Sequence, residues 1–421
     1  MQCFCKGDLS TLGIRGSYGH ELKGKKIALC ITSSVSCYRA PDIARLLIRH
    51  GAEVIPVMTR DAARLISPEI LKWATGNEPI VEITGKTEHV MLTETESRVD
   101  LVLIAPATAN TIGKIASGIS DNSVTLLASC ALGAGIPIII VPAAHETMIF
   151  NPLLTRAIRI LRDAGIKIIE PAMEEGKAKL RSPEDIVETV METLMPKPLI
   201  GRRFIVTAGP TREKIDDVRF ITNASSGKMG IEIARQLKYL GAEVTLIHGP
   251  ITEKVPPGIN TIKITSAEEL TSRLVEETMR VRADAVFAVA AVTDFKPIES
   301  MRGKLDSRTS EIINLQLVRN RKAIQELRKA SPTVDIIAFR AVYGDVEDPV
   351  AELKKLQSEA GVMMVVINDI SRKEVGFGSD LNEVTIVTSS QKIIKTGLRP
   401  KRDIAKVIVE TYIEEKAKTP A

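Results

Sequence analysis

Residues 26–58 read KIALCITSSVSCYRAPDIARLLIRHGAEVIPVM, and this stretch decides the fold. Lys26–Ile31 is an apolar run of strand length. Ala40–His50 carries apolar residues at helical spacing and is closed by Gly51, after which Glu53–Met58 is again strand-like. A strand, a crossover helix stopped by glycine and a second strand form a βαβ unit, which calls for a parallel sheet with helices on its faces. The rhythm continues with strands at Asp100–Ala105 and Ile136–Val141 and helices at Thr108–Ser117 and Leu153–Ala164. It breaks at Met195-Pro196-Lys197-Pro198, where two prolines forbid a continuing helix and suit a linker. It restarts with strand Arg203–Thr207, helix Lys228–Leu240 and strand Glu243–Ile247, and later strands fit Ala285–Ala290, Asp335–Phe339 and Val362–Ile367. Both halves pass from helix to strand through Gly-Ala-Glu-Val, at Gly51–Val54 and at Gly241–Val244. The expectation is an α/β chain of two tandem doubly wound, Rossmann-like parallel-sheet domains. An extension over residues 1–21 would precede a first domain over 22–195 and a second over 196–421.

Composition agrees and excludes several classes. A chain of 421 residues, 44% hydrophobic and 26% charged, has the material for two cores, and at 3% aromatics Ile, Val, Leu and Ala must fill them. The net charge of +5 is spread along the chain without interleaved aromatics, so no nucleic-acid footprint is present. No apolar run approaches the roughly 18 residues of a membrane span, and the N-terminus has no signal-like apolar stretch. A soluble cytoplasmic protein is expected. Five cysteines (Cys3, Cys5, Cys30, Cys37 and Cys130) make no disulfide framework in so long a chain. Cys3 and Cys5 lack a nearby Cys/His pair to complete a metal site, so the first 20 residues read as a loose extension.

Ligands of such sheets bind at the carboxyl ends of the strands. After the first strand comes Thr32-Ser33-Ser34-Val35-Ser36-Cys37, with hydroxyls where a dinucleotide fingerprint would have glycines. Serines opening a helix can donate to a phosphate monoester, or simply cap the helix. Met58-Thr59 ends the second strand. Ala105-Pro106-Ala107-Thr108-Ala109-Asn110-Thr111 ends the third, with small residues that admit a flat ring and polar ones for its edge. Pro142-Ala143-Ala144-His145-Glu146-Thr147-Met148 ends the fourth. These loops resemble the flavin-binding loops of the homo-oligomeric cysteine decarboxylase flavoproteins. The resemblance implies FMN, with its phosphate on Ser33, Ser34 and Ser36 and its ring near Thr59, Ala105, Pro106, Thr108 and Asn110. It also makes His89, in His89-Val90-Met91-Leu92, the active-site histidine and points to Met148 for the substrate, while His145, which stands where the family has another residue, is a candidate for substrate contact and for catalysis.

In the second half, Gly209-Pro210-Thr211-Arg212 opens a long segment that ends in Ile221-Thr222-Asn223-Ala224-Ser225-Ser226-Gly227-Lys228-Met229-Gly230. A long loop inside a compact domain is usually functional. Gly227-Lys228 is not a P-loop, since Met229 stands where Ser or Thr belongs. Ser225, Ser226 and Gly227 nonetheless open a helix, whose N-terminus attracts phosphate. Ala291-Val292-Thr293-Asp294-Phe295-Lys296-Pro297 offers an aspartate at a strand end, able to meet a cytosine amine, a ribose or a metal, and Lys304 follows in a polar segment. Thr207–Arg212, Ile221–Gly230 and Ala290–Pro297 resemble the motifs of the phosphopantothenate–cysteine ligases. A flavoprotein half before a ligase half is the arrangement of the bifunctional coenzyme A biosynthesis family, and the resemblance covers about Lys23 to Glu415.

The resemblance implies that the second half acts first. CTP with Mg²⁺ activates the carboxylate of 4′-phosphopantothenate as an acyl-cytidylate, and the cysteine amine attacks it. Asn223 would stabilise that step. Asp294, Lys304 and Phe339 would contact CTP, with backbone help at Ala290 and Ala291, and Ser225, Ser226 and Gly227 would sit at its phosphates. The first half would then decarboxylate the cysteine moiety on FMN, without net redox change, to give 4′-phosphopantetheine. The metal ligands stay unassigned. The family implies trimeric flavin domains and dimeric ligase domains, hence a homo-oligomer.

Three departures from the bacterial pattern stand out. Pro142-Ala143-Ala144-His145 replaces Pro-Ala-Met-Asn. The stretch Glu174-Glu175-Gly176-Lys177-Ala178-Lys179 lacks the flap cysteine, leaving Lys177 or Lys179 as a candidate proton source or phosphate ligand. Asp306, Ser307 and Val342 replace residues expected near CTP. The first two departures resemble archaeal members. They also motivate a competing reading, a ligase whose flavin half is kept as a binding and oligomerisation scaffold. A nicotinamide oxidoreductase is opposed by the absence of G-x-G-x-x-G from both halves.

Overall fold

The computed structural model describes residue 11 and residues 13–174, 177–304, 312–344, 346–371 and 378–418, with the backbone alone at 146, 149, 172–174 and 177–179. The chain divides into two units, the boundary in sequence falling between Met195 and Pro196.

The first unit is built on five parallel strands, β1 (Lys26–Ile31), β2 (Glu53–Met58), β3 (Leu101–Ala107), β4 (Ile138–Pro142) and β5 (Lys167–Ile168), in the order β2-β1-β3-β4-β5. Ile27 of β1 stands between Val54 and Leu101. Both faces of this sheet are covered. Ala28, Cys30, Val102, Ile104, Ile138 and Ile140 pack under the helices Ser123–Gly133 and Pro152–Asp163, through Val124, Leu127, Leu154 and Leu161. The alternate residues Ile27, Leu29, Ile31 and Leu103 are fully buried as well. That is the signature of a doubly wound sheet, whose strands read as continuous apolar runs. Each buried Leu or Ile contributes about 1.5–3 kcal/mol.

The second unit carries an eight-stranded sheet of β6 (Arg203–Ala208), β7 (Glu243–His248), β8 (Asn260–Lys263), β9 (Ala285–Ala288), β10 (Asp335–Val342), β11 (Met364–Asp369), β12 (Thr385–Thr388) and β13 (Ile393–Lys395), ordered β8-β7-β6-β9-β10-β11-β12-β13. The expected parallel sheet runs from β8 to β11, whereas β12 and β13 are antiparallel additions. A parallel pair needs a crossover of a dozen or more residues, and the turn over 389–392 is far too short, so β13 runs antiparallel to β12. The scarce aromatics are concentrated here: Phe204, Phe287 and Tyr412 pack with ring centroids 5.6–6.2 Å apart.

Residues 13–25 depart from the expected loose extension. Gly16, Tyr18 and Leu22 donate their N–H groups to the carbonyls of Ile48, Arg49 and His50, so the segment satisfies the end of the helix Ala40–Arg49. Glu21 and His50 form a buried pair at 2.9 Å, and Leu22 is fully buried. Cys3 and Cys5 lie outside the described residues. Among the described residues, no helix is long and apolar enough to cross a membrane.

Candidate functional site

In the first unit the chain moves from β1 to β2 on one side and returns to β3 on the other, so β1 and β3 frame the crevice where such sheets bind ligands. Thr32 ties the two loops together. Its hydroxyl donates to the Pro106 carbonyl at 2.8 Å and accepts from the Thr108 N–H at 3.0 Å. The 3₁₀ turn Val35–Arg39 lies against β3 and against the helix Arg60–Leu65. Ser34 caps that turn, accepting from the Ser36 N–H at 3.3 Å. Thr59 and Thr108 likewise cap the helices they precede, accepting from Ala62 at 3.1 Å and Thr111 at 3.3 Å. All three hydroxyl oxygens thus act as caps. Ser33 and Asn110 are exposed, Ser36 is half-buried, and Ala105, Pro106 and Ala107 are buried. The Ala143 N–H donates to Ala107, which brings the loop after β4 beside the same edge, with His145 and Met148 exposed on it.

His89 sits on the helix Glu88–Glu94, which packs against Ser123–Gly133. The Ser123 hydroxyl in turn donates to Met58 at the end of β2, at 2.8 Å. Ring atom Nδ1 of His89 is buried without a hydrogen-bond partner among the described residues. A buried polar atom left unpaired costs about 1–3 kcal/mol, so this nitrogen favours an incoming ligand. No described contact joins His89 directly to Ser33–Ser36. The Lys177 and Lys179 side chains, Glu175, Gly176, Asp306 and Ser307 lie outside the described residues.

The second unit has its reversal between β6 and β9, and a cavity of about 350 Å³ opens there. Thr207, Gly209, Asn223, Ser225, Ser226 and Gly227 line one side, and Ala290, Ala291, Asp294, Phe339 and Asn368 line another. The Thr207 hydroxyl accepts from the N–H groups of both Val289 and Ala290 at 3.0 Å. Asn223 spans the mouth, its Nδ2 donating to the Ala291 and Val292 carbonyls at 3.1 and 3.2 Å. Beneath them a buried network joins Thr211, Thr293 and Glu213, and Asn320 reaches in to the Thr293 carbonyl at 2.9 Å. Asp294 is held by Lys322 at 2.5 Å.

Glycines set the floor. Gly227 has φ +83° and starts the helix Lys228–Tyr239. At Gly230 a Cβ would stand 2.6 Å from the Ala208 Cβ and 2.9 Å from the Thr207 carbonyl. Gly→Ala inside a helix ordinarily gains about 1 kcal/mol. Here it forces helix from strand, so Gly230→Ala is expected to destabilise the unit by about 1–3 kcal/mol. A thermal unfolding scan checks this, and a raised melting temperature would refute it.

The cavity thus gathers Asn223, Ser225, Ser226, Gly227, Ala290, Ala291, Asp294 and Phe339. Lys304 is exposed and outside the lining, on a turn where Gly303 donates to Asp217 at 2.8 Å. Val342 ends β10, half-buried. Sequence reasoning missed Thr207 as a brace, and it missed Asn320, Arg321, Lys322, Arg340, Asn382 and Lys401. The run Arg319-Asn320-Arg321-Lys322 was the one legible signal among them.

Comparison with known proteins agrees with both halves. Residues 15–195 match the family described as Flavoprotein. Residues 199–415 match the DNA/pantothenate metabolism flavoprotein C-terminal domain. The chain is 42% identical over 377 residues to the Coenzyme A biosynthesis bifunctional protein CoaBC of Thermococcus kodakarensis, covering 89% of this chain and 91% of that one. It is 37% identical over 401 residues to the protein of the same name from Methanocaldococcus jannaschii (94% and 95% covered), and 32% over 377 residues to that of Bacillus subtilis (87% and 91%). With both halves matched and relatives covered almost end to end, the chain belongs to the family of bifunctional coenzyme A biosynthesis enzymes, a flavoprotein decarboxylase unit followed by a ligase unit.

Proposed function

We propose that the second unit joins cysteine to 4′-phosphopantothenate with CTP, through an acyl-cytidylate, and that the first unit decarboxylates the product to 4′-phosphopantetheine with FMN. The observation that carries this is the cavity at the β6/β9 reversal. It combines an anion-attracting helix N-terminus at Gly227, the flat wall of Phe339 and the cations Lys228, Arg321, Lys322, Arg340 and Lys401. That is the donor set a nucleoside triphosphate needs.

A carboxylate is a poor electrophile, and forming the acyl-cytidylate releases pyrophosphate to make it a good one. The cations neutralise the charge that develops on the departing group, with Lys304 proposed to join them. Asn223 holds the Ala291 and Val292 carbonyls through Nδ2, and it is proposed to act on the acyl-cytidylate step. Among the described residues no group of three or more His, Cys, Asp or Glu is placed to hold a metal. Mg²⁺ is proposed to enter on the CTP phosphates.

In the first unit the residues fit a flavin mononucleotide. Ser33, Ser34 and Ser36 would hold the phosphate, and buried Ala105 and Pro106 with Thr59, Thr108 and Asn110 would flank the ring. The unpaired Nδ1 of His89 fits an enclosed polar ligand. A bound flavin supplies reversible two-electron acceptance, which makes loss of CO₂ from the cysteine moiety easy. His89 holds or moves the proton, while His145 and Met148 meet the substrate and Lys177 is a candidate proton source. Exposed apolar side chains on each unit, such as Val35, Phe150 and Leu153 on the first and Phe295, Ile298 and Leu317 on the second, favour self-association, and the homo-oligomer is proposed to have trimeric flavin and dimeric ligase units, as the family resemblance implies.

The test is to incubate the chain with 4′-phosphopantothenate, cysteine, CTP and Mg²⁺ and weigh the product by mass spectrometry. Expected is 4′-phosphopantetheine. Product stalled at 4′-phosphopantothenoylcysteine would leave only the ligase, with the flavin unit as scaffold.

A further inference from the structure

Lys401, the first residue of the helix Lys401–Lys418, is 7% exposed despite its charge. Its Nζ donates to the Ser379 carbonyl at 2.6 Å, a neutral acceptor that takes one of its three donors. Burial, and then the neighbouring Lys228, pull its pKa down, while Asp380 and Glu253 act the other way. The carboxylates lie on Lys228, with Asp380 at 2.6 Å and Glu253 at 3.4 Å. Asp380 is 86% exposed, and an ion pair in such surroundings offsets little. Two ammonium groups thus converge at the Gly227 end of the helix Lys228–Tyr239, one of them buried, and a cation removed from water without an adequate counter-charge is costly.

Their position defines which part of a ligand they would meet. Lys228 and Lys401 line the main cavity and also an adjoining recess of about 210 Å³, whose walls include Arg235, Lys254 and Arg402. Asn223 and the Ala290–Val292 loop line the cavity and not the recess. With the reacting phosphorus at Asn223, as proposed above, the recess lies where a phosphate chain would continue.

We propose that Lys401, with Lys228, binds the β- and γ-phosphates of the nucleotide, and that Asp380 is an internal stand-in for that anion, released from Lys228 when the nucleotide arrives. This rests on the nucleotide reading of the cavity above. The test is isothermal titration of the full chain with CTP and, separately, with CMP, which lacks the outer phosphates. Lys401→Met is expected to weaken CTP about 10- to 100-fold, the worth of a lost charge-assisted hydrogen bond, and to change CMP less than about twofold. Lys401→Arg should retain most of the CTP affinity, and Asp380→Asn should raise it. An equal loss for both nucleotides would mark a structural lysine and overturn the proposal, as would unchanged CTP affinity. Weaker CTP binding by Asp380→Asn would overturn the stand-in role. Failure of the unaltered chain to bind either nucleotide would instead sink the nucleotide reading itself.

Discussion

The His89→Gln variant is expected to ligate cysteine at the unaltered rate and to decarboxylate about 10²–10⁴-fold more slowly, the range lost when a positioned acid–base group is removed. The expectation rests on the buried Nδ1 of His89, which has no partner among the described residues. A histidine kept for packing would satisfy both ring nitrogens or leave them to water. Glutamine keeps length and one amide donor but cannot shuttle a proton near neutral pH. The measurement is CO₂ release from supplied 4′-phosphopantothenoylcysteine, alongside the visible flavin spectrum. An unchanged rate would remove His89 from the chemistry. A lost flavin spectrum would instead show that His89 holds the cofactor.

The Asn223→Ala variant should show the complementary defect. Its side chain donates to two carbonyls across the cavity mouth; if an Nδ2 hydrogen turns to the charge developing in the acyl-cytidylate step, its loss costs about 10²–10³-fold in rate, as for one oxyanion-hole donor. The Val292 carbonyl loses this donor and the Ala291 carbonyl keeps only the Thr211 N–H at 3.4 Å, so some loosening of the Ala290–Val292 loop is expected as well. The partition between kcat and KM separates the two roles. If Asn223 acts on the acyl-cytidylate step, kcat for pyrophosphate release falls by that factor. If it only braces the loop, the KM for CTP rises while kcat is kept, and the catalytic assignment fails. Decarboxylation of supplied 4′-phosphopantothenoylcysteine should not change.

Much of the scaffold was readable because it is local. Lys26–Ile31 and Glu53–Met58 form strands at the expected bounds, and the twin Gly51 and Gly241 turns have φ of +97° and +91°, conformations that favour glycine. Strand ends such as Ala107 and Ala208 were placed within two residues. What the sequence hid is set by tertiary pairing. The hairpin of Arg212–Lys214 with Phe220–Thr222 has three residues a strand, too short to show a period. The antiparallel β12 and β13 look like any β-rich run until their turn is measured. The same applies to the site. Ser225–Gly227 and Ala290–Asp294 declared themselves as loops after strands, whereas Lys401 reaches the cavity from the other end of the unit and reads locally as a solvated helix start.

The glycine floor of the second unit has one more consequence. At Gly227 a Cβ would fall 2.4 Å from Ile251, at Gly230 it would meet the Thr207 carbonyl, and at Gly249 it would overlap the Pro210 carbonyl at 1.7 Å. Main chain rests on main chain at Gly230 and Gly249, and on the Ile251 side chain at Gly227. The ordering entropy of that surface was spent when the chain folded, so docking a phosphate on it asks for little further loss of freedom. Selectivity among anions then falls to the long side chains of the walls, where Arg321 must be immobilised at about 0.5–1.5 kcal/mol and Lys322 and Lys401 must turn from Asp294 and the Ser379 carbonyl. A ligand with several phosphates repays that immobilisation and a single phosphate does not, which makes the unit a counter of phosphate groups built on a rigid base.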